Sequence, residues 1–383
     1  MKCLRCGNSD PAYFYKGSKG YYCRKCIRFS RLLLEEELEP YDYEISIGCQ
    51  EYHFDYELTK DQKETSKRCL TKLTDGDVLL LCVCGAGKTE IAVESISAYL
   101  QKGLKVAYAI SRREVVIELS KRFADIFKHA KVTAVYGGHH DQTKGDLIVC
   151  TCHQLYRYYQ TFDLLIIDEV DAFPLKGNET LMNIAISSCR GRIIFSTATI
   201  DTNLKQVLKQ RNYSSVELYV RPSYKPLSVP KTVCLNRYIA LLYLYRMMKL
   251  MANQCVVFVT SKKDCRQLFR LFSHFFSCTY VYSDHEKRDE NIRSFKQKEK
   301  KFIFSTTVLE RGITIHNISV IILNFGKGFD QSSLIQMLGR VGRGVGDQGG
   351  ETYIISEHYS SAVKNTLAYL KEANSHLEMS VLR

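Results

Sequence analysis

Gly85-Ala86-Gly87-Lys88-Thr89 follows an apolar run ending at Val83 and opens a helical pattern through Ile91, Ile96 and Leu100. A strand, a glycine-rich turn, a lysine and a hydroxyl, in that order, are what a phosphate-binding loop requires. The glycines let backbone N–H groups close around phosphate oxygens, and the helix amino terminus adds positive potential. Lys88 reaches the terminal phosphates and the Thr89 hydroxyl is a ligand for Mg²⁺. The full spacing G-x-x-x-x-G-K-[ST] calls for glycine at position 82, where this chain has Cys82. A second cluster, Asp168-Glu169-Val170-Asp171, follows the apolar run 164–167, which sets two carboxylates at the end of a strand. There Asp168 is suited to hold Mg²⁺, and Glu169 to orient and deprotonate a water attacking a γ-phosphate. The third cluster, Gln336-Met337-Leu338-Gly339-Arg340-Val341-Gly342-Arg343, sets Arg340 and Arg343 three apart on one helical face. Guanidinium groups aimed across a cleft at a γ-phosphate stabilise transition-state charge. Singly these are a glycine turn, a solvated acidic loop and a basic surface helix; together in one chain they point to ATP hydrolysis with Mg²⁺.

Cys3-x2-Cys6 and Cys23-x2-Cys26, sixteen residues apart, have the spacing of a structural Cys₄ site for Zn²⁺. Four thiolates leave no open coordination position, so the metal's role there is folding. Between the pairs, Tyr13, Tyr15, Lys16, Lys19, Tyr21 and Arg24 mix aromatic and basic side chains. Such a mixture suits a base-stacking surface or the module's own small core, and both stay open. Of the other cysteines among the fifteen, Cys82, Cys84, Cys150 and Cys255 sit in or beside apolar runs, as buried thiols do.

These residues need rigid elements behind them. Short apolar runs at 78–83, 106–110, 147–150, 164–167 and 193–195 read as buried strands, and Val115, Val116, Leu119, Phe123 and Phe127 recur at helical spacing between them. Strands alternating with helices predict an α/β fold with a parallel sheet covered on both faces. The alternation restarts at 255–259, 278–281, 302–305, 320–323 and 352–355, after a stretch holding Pro222, Pro226 and Pro230 of the six prolines in the chain. The expected organisation is a zinc module over 1–40, a first ATP-binding lobe over 41–212, a connector over 213–232 and a second lobe over 233–383. Residues 31–61 read as a further connector, so the module is expected to fold independently of the lobes. The 383 residues are ordinary for two or three globular domains, with 45% hydrophobic and 25% charged residues. A formal net charge of +13 suits a polyanionic partner. Cys3 and Cys6 stand where a signal peptide would carry its charged and apolar regions, so a cytoplasmic protein is expected.

The three nucleotide motifs, in this order and spacing, resemble the superfamily 2 helicases of the DEAD/DEAH type from about residue 58 onward. The resemblance implies two tandem RecA-like domains and assigns further roles. Gln62 matches the adenine-reading glutamine, beside the cofactor-binding Gly85, Ala86, Gly87, Lys88 and Thr89. Ser196, Thr197 and Thr199 match the motif that couples hydrolysis to lobe movement, and residues 307–314, with Thr307, Glu310, Arg311 and Gly312, match the segment contacting strand and nucleotide. Arg112, Arg113, Thr151 and Gln154 occupy the backbone-phosphate positions of the first lobe, and Thr260 and Ser261 those of the second. A Ser or Thr after a strand is by itself most often a helix cap. With the cysteine module in front and Ala172-Phe173-Pro174 after the acidic cluster, the chain resembles the late-competence ComFA family of Gram-positive bacteria, save that Ser111 stands where helicases commonly have proline. That resemblance implies translocation on single-stranded DNA during natural transformation, at the inner face of the cell membrane beside the DNA-uptake channel, with the phosphoribosyltransferase-like protein ComFC as a partner. A homo-oligomer stays open. The alternatives are a duplex-unwinding helicase of replication restart or RNA metabolism, and a zinc-dependent nucleic-acid-binding scaffold with a nucleotide switch. A pure switch has little use for Glu169, Arg340 and Arg343.

Overall fold

The computed structural model describes residues 1–46, 51–310, 315–343 and 347–381. The chain divides into two units, Met1–Cys82 with Gly87–Leu218 and Val83–Ala86 with Tyr219–Arg383. In the first, a hairpin of β1 (Phe14–Gly17) and β2 (Gly20–Cys23) precedes α1 (Lys60–Lys72), β3 (Asp77–Cys82), α2 (Lys88–Gln101), β4 (Val106–Ile110), α3 (Arg113–Ile126), β5 (Val132–Val135) and β6 (Leu147–Thr151). Then follow β7 (Phe162–Asp168), α4 (Glu179–Ser187), β8 (Cys189–Thr197), α5 (Thr202–Lys209) and β9 (Tyr213–Leu218). β3 to β9 form a parallel sheet in the order β5-β6-β4-β7-β8-β3-β9. Inner strands β4 and β6 are buried throughout because helices cover both faces, which is why they read as continuous apolar runs.

The second unit holds β10 (Lys231–Cys234), α6 (Arg237–Leu250), β11 (Gln254–Val259), α7 (Lys262–Phe272), β12 (Cys278–Val281), α8 (Arg288–Lys296) and β13 (Phe302–Ser305). It continues with β14 (Ile318–Asn324), α9 (Gln331–Leu338), β15 (Thr352–Ser356) and α10 (Ser361–Val381). Its strands are also parallel, in the order β10-β15-β14-β11-β13-β12. Two parallel α/β sheets behind a cysteine-rich module bear out the expected fold class. The apolar runs missed β5, β9 and β10. All three are outermost strands, β5 and β9 with alternating burial and β10 with no residue buried, so no continuous apolar run marks them. β9 takes six residues of the stretch expected as a connector and pairs them with β3.

The independence expected of the cysteine module needs correcting. Cys3, Cys6, Cys23, Cys26, Phe29 and Leu32 share one hydrophobic cluster with Ala109, Ile148, Leu155 and Leu181 of the first unit. Asn183 Nδ2 donates to the Cys6 carbonyl at 3.0 Å and Ser187 Oγ to the Arg5 carbonyl at 3.1 Å, both from α4. Phe29 stacks on His153 and leans on Tyr156, with centroids 6.2 and 5.6 Å apart. The segment after the module is likewise tied down, by Thr161 Oγ1 donating to the Tyr41 carbonyl and by Lys105 paired with Asp42. Removing the metal is therefore expected to loosen the first unit itself. Phe29→Ala, which empties a buried aromatic site, is expected to cost about 3 kcal/mol. Amide exchange of the β6 and β7 peptides, with and without chelator, measures both, and unchanged protection in either case would contradict a shared core.

Candidate nucleotide and nucleic-acid site

The parallel register collects the chemistry of the first unit at the carboxyl edge of its sheet. Asp168 is opposite Ser196, Leu81 opposite Thr197, and Ile110 opposite Thr151. Ligands of open parallel sheets bind beyond this edge, where loops from neighbouring strands meet. Gly87 precedes α2 with φ +88°, a left-handed conformation open to glycine, and Lys88 and Thr89 start the helix. A Cβ on Gly87 would collide with Gln62 Nε2. Gly87→Ala is thus expected to strain the turn and displace Gln62 together, weakening ATP binding at least tenfold, as a fluorescent ATP analogue titrated against both proteins would report. Gln62 also caps the helix that carries it. Its Oε1 accepts from the Thr59 N–H at 3.1 Å while Thr59 Oγ1 accepts from the Gln62 N–H at 3.2 Å, a capping box on α1.

Asp168 is buried and held from three sides. Tyr108 Oη donates to its Oδ2 at 2.8 Å, Ser196 Oγ to Oδ1 at 2.8 Å, and the Glu169 N–H to Oδ1 at 2.9 Å. Burial, and then the charge of Asp168, push the Tyr108 phenol well above its ordinary range, so it keeps its proton and acts as donor. The Thr89 hydroxyl lies 3.4 Å from the same phenol oxygen. One hydroxyl thus reaches both groups suited to Mg²⁺, and a hydroxyl with a carboxylate is the hard oxygen set that this cation takes while keeping several waters. Bound there, Mg²⁺ would neutralise phosphate charge. Glu169 has φ +55°, an uncommon conformation for a residue with a side chain, and such strain gathers at functional sites. Asp171 accepts from Thr199 Oγ1 at 2.7 Å, and Thr197 Oγ1 bonds the Thr199 carbonyl at 2.7 Å. Side chains after β7 and β8 are thereby linked twice, through Ser196–Asp168 and Thr199–Asp171.

Arg112 is the half-buried N-cap residue of α3, and Arg113, exposed, stands 5.0 Å over the Tyr136 ring. Thr151 starts the 3-10 turn Cys152–Arg157, in which Arg157 Nε donates to Gln154 Oε1 at 2.8 Å. In the second unit, Ser261 Oγ accepts from the Asp264 N–H at 3.0 Å and caps α7, the bland reading of that residue. Thr260 precedes it at the end of β11, and Thr307 is exposed at the start of a 3-10 turn after β13. Gly312 and Arg311 lie outside the described residues. Arg340 is buried and donates from Nε to the Glu310 carbonyl at 3.0 Å, whereas Arg343 is half-buried with no hydrogen bond or ion pair among the described residues.

Sequence reasoning missed two residues. Tyr108 sits in the apolar run of β4, where nothing local separates it from core. Arg221, in the proline-flanked stretch, is buried and donates to the carbonyls of Gly339, Val341 and Gly342, pinning the segment that carries Arg340 and Arg343. Burial pulls its guanidinium down to about 10.

At the module, Cys3 and Cys26 Sγ are 3.7 Å apart, as are Cys6 and Cys23 Sγ, and all four sulfurs lie within 4.8 Å of one another. Tetrahedral Zn²⁺ with bonds of about 2.3 Å sets its sulfurs about 3.8 Å apart, so the cluster fits this metal.

The DEAD/DEAH box helicase model matches residues 59–207 and the helicase conserved C-terminal domain model residues 236–345. Competence protein ComFA of Bacillus subtilis is 29% identical over 97% of this chain and 85% of its own length, and ComFA of Streptococcus pneumoniae 29% over 97% and 90%. Among solved structures, Saccharomyces cerevisiae Dbp5 bound to RNA and ADP BeF3 aligns with a TM-score of 0.60 at 18% identity, covering 82% of this chain and 91% of that one. Mycobacterium smegmatis helicase Lhr bound to single-stranded DNA and AMP-PNP aligns at 0.59 and 14% identity, covering 82% and 50%. With both helicase models matched around the phosphate loop, the acidic cluster and the arginine segment, the chain belongs to the superfamily 2 ATPases of the DEAD/DEAH helicase type, and along nearly its whole length it is similar to ComFA.

Proposed function

We propose that this protein is an ATP-driven motor that moves along single-stranded DNA and draws it into the cell during natural transformation. The observation that carries the motor reading is the pair of hydrogen bonds joining the acidic cluster to the hydroxyl motif, Ser196 to Asp168 and Thr199 to Asp171. A change at the γ-phosphate side of Asp168 has a direct mechanical path to the end of β8. In this reading Lys88 binds the β- and γ-phosphates, Gln62 reads the base, and Glu169 orients the attacking water and takes its proton. Arg340 and Arg343 meet the charge that develops on the γ-phosphoryl group when the lobes close. Arg112, Arg113, Thr151 and Gln154 in one lobe, and Thr260, Ser261 and Thr307 in the other, grip the strand's phosphates. The module holds structural Zn²⁺. The lobe limits proposed are those of the sequence reading, with the first lobe extended through β9.

The similarity to ComFA supports single-stranded DNA as the track and competence as the setting, with ComFC and the uptake channel as partners and a place at the inner membrane face. No helix among the described residues is long and apolar enough to cross a membrane, so attachment there would be peripheral. Steady-state ATP hydrolysis with single-stranded DNA, duplex DNA and RNA as separate activators tests the reading. The largest stimulation is expected from single-stranded DNA, falling as salt rises. Greater stimulation by duplex would favour an unwinding enzyme, and greater stimulation by RNA would move the protein to RNA metabolism.

A further inference from the structure

α6 is a surface helix whose outer face mixes cations with large apolar side chains. Its ionisable side chains, Arg237, Arg246 and Lys249, are all cations, and the rest are apolar or aromatic. Ala240, Leu244 and Met248 turn one stripe into the core of the second unit. The opposite stripe leaves Tyr238 82% and Leu242 73% exposed. Large apolar side chains exposed side by side and rimmed by charge mark an interaction surface. Beside it, α7 and the turn that follows expose Leu271 and Phe275, the latter by 62%.

The two helices frame a groove rather than a flat patch. Leu241, Leu268 and Leu271 line a cavity of about 120 Å³ whose other walls include Val259, Leu323 and Phe325. Arg237 pairs with Asp264 at the start of both helices, and further along Tyr245 meets Phe275 edge-on at 5.6 Å. A cavity of roughly 150 Å³ holds one benzene, so this smaller one, with Arg237, Thr260, Asp264 and Gln267 at its polar side, takes one side chain of about leucine size.

Charge and shape together select the occupant. Asp264 is the sole carboxylate of α7 among lysines and arginines, and α6 has none. A second copy of this chain would set cations against cations. An anionic bilayer would satisfy the charge but offers no discrete knob for a side-chain-sized cavity. An amphipathic helix laid in a groove, with anchors three and four residues apart, satisfies both.

We propose that the α6–α7 groove of the second unit docks an acidic amphipathic helix of a partner protein, with one of its leucine side chains seated in the cavity. The inference does not rest on the nucleotide site, and Thr260, one of the residues proposed to grip the strand, also lines the cavity.

The probe is a fluorescein-labelled helical peptide of about 18 residues, long enough to hold a helix, with leucines on one face and glutamates elsewhere. It is titrated by anisotropy into the full-length protein, beside the same peptide with lysine for glutamate. The glutamate peptide is expected to bind, and the lysine peptide not to. Tyr238→Ser with Leu242→Ser, both at exposed positions and so compatible with folding, should weaken binding by about tenfold or more while ATP hydrolysis is unchanged. Equal binding of both peptides, equal binding by the double variant, or no binding at all overturns the proposal. So does phosphatidylglycerol vesicle binding, or dimerisation on a sizing column, that is lost in the double variant, since the occupant would then be lipid or a second copy.

Discussion

Glu169→Gln is expected to lower turnover by about 10²–10⁴ while ATP still binds, because the amide keeps the shape of the side chain and loses the base. The local geometry sharpens this expectation. Asp168 is held by Tyr108, Ser196 and the Glu169 N–H, and none of these bonds uses the Glu169 carboxylate. The substitution should therefore leave the Asp168 cluster in place, and with it the binding of Mg²⁺ and phosphate. Lys88→Ala gives the contrast, since it removes the cation that meets the phosphates and should weaken ATP binding as well as hydrolysis. A coupled-enzyme assay beside a nucleotide-binding titration separates the two. A Glu169→Gln protein that hydrolysed ATP near the wild-type rate would remove Glu169 from the mechanism.

Local order made most of the nucleotide site readable. A phosphate loop, an acidic strand end and an arginine pair are each written in consecutive residues, and parallel register then carries Asp168 beside Ser196 without further information. Tyr108 was unreadable for the opposite reason. Its contribution depends on a β4–β7 pairing across more than fifty residues, and within Val106–Ile110 it looks like any buried aromatic. The cysteine spacing marks the four-cysteine cluster, but the packing of Phe29 on His153 and Tyr156 joins residues more than a hundred positions apart, which the acidic stretch between them does not encode. Arg221 was hidden among prolines that argued for an exposed link. Its burial follows from a guanidinium that donates to the three backbone carbonyls of Gly339, Val341 and Gly342, which have no other signature in the sequence.

Arg343→Ala is expected to retain ATP and DNA binding and to lose about 10³–10⁵ of the DNA-stimulated rate, the usual worth of an arginine that acts on a transferring phosphoryl group. Its guanidinium has no hydrogen bond or ion pair among the described residues, so the substitution breaks no described polar contact of the second unit. Arg340 is different. It is buried and donates to the Glu310 carbonyl, and Arg340→Ala would leave that buried acceptor short of a partner, costing stability as well as rate. The pair thus separates chemistry from architecture, with Arg343→Ala losing turnover at an unchanged melting temperature and Arg340→Ala losing both. Interactions made mainly in the transition state lower kcat and leave ground-state binding alone. Measuring hydrolysis against single-stranded DNA concentration, with separate isotherms for ATP and DNA, shows where the loss falls. An Arg343→Ala protein that bound both ligands and kept full stimulated turnover would show that the second unit's arginine takes no part in hydrolysis, and the two-lobe motor would have to be given up.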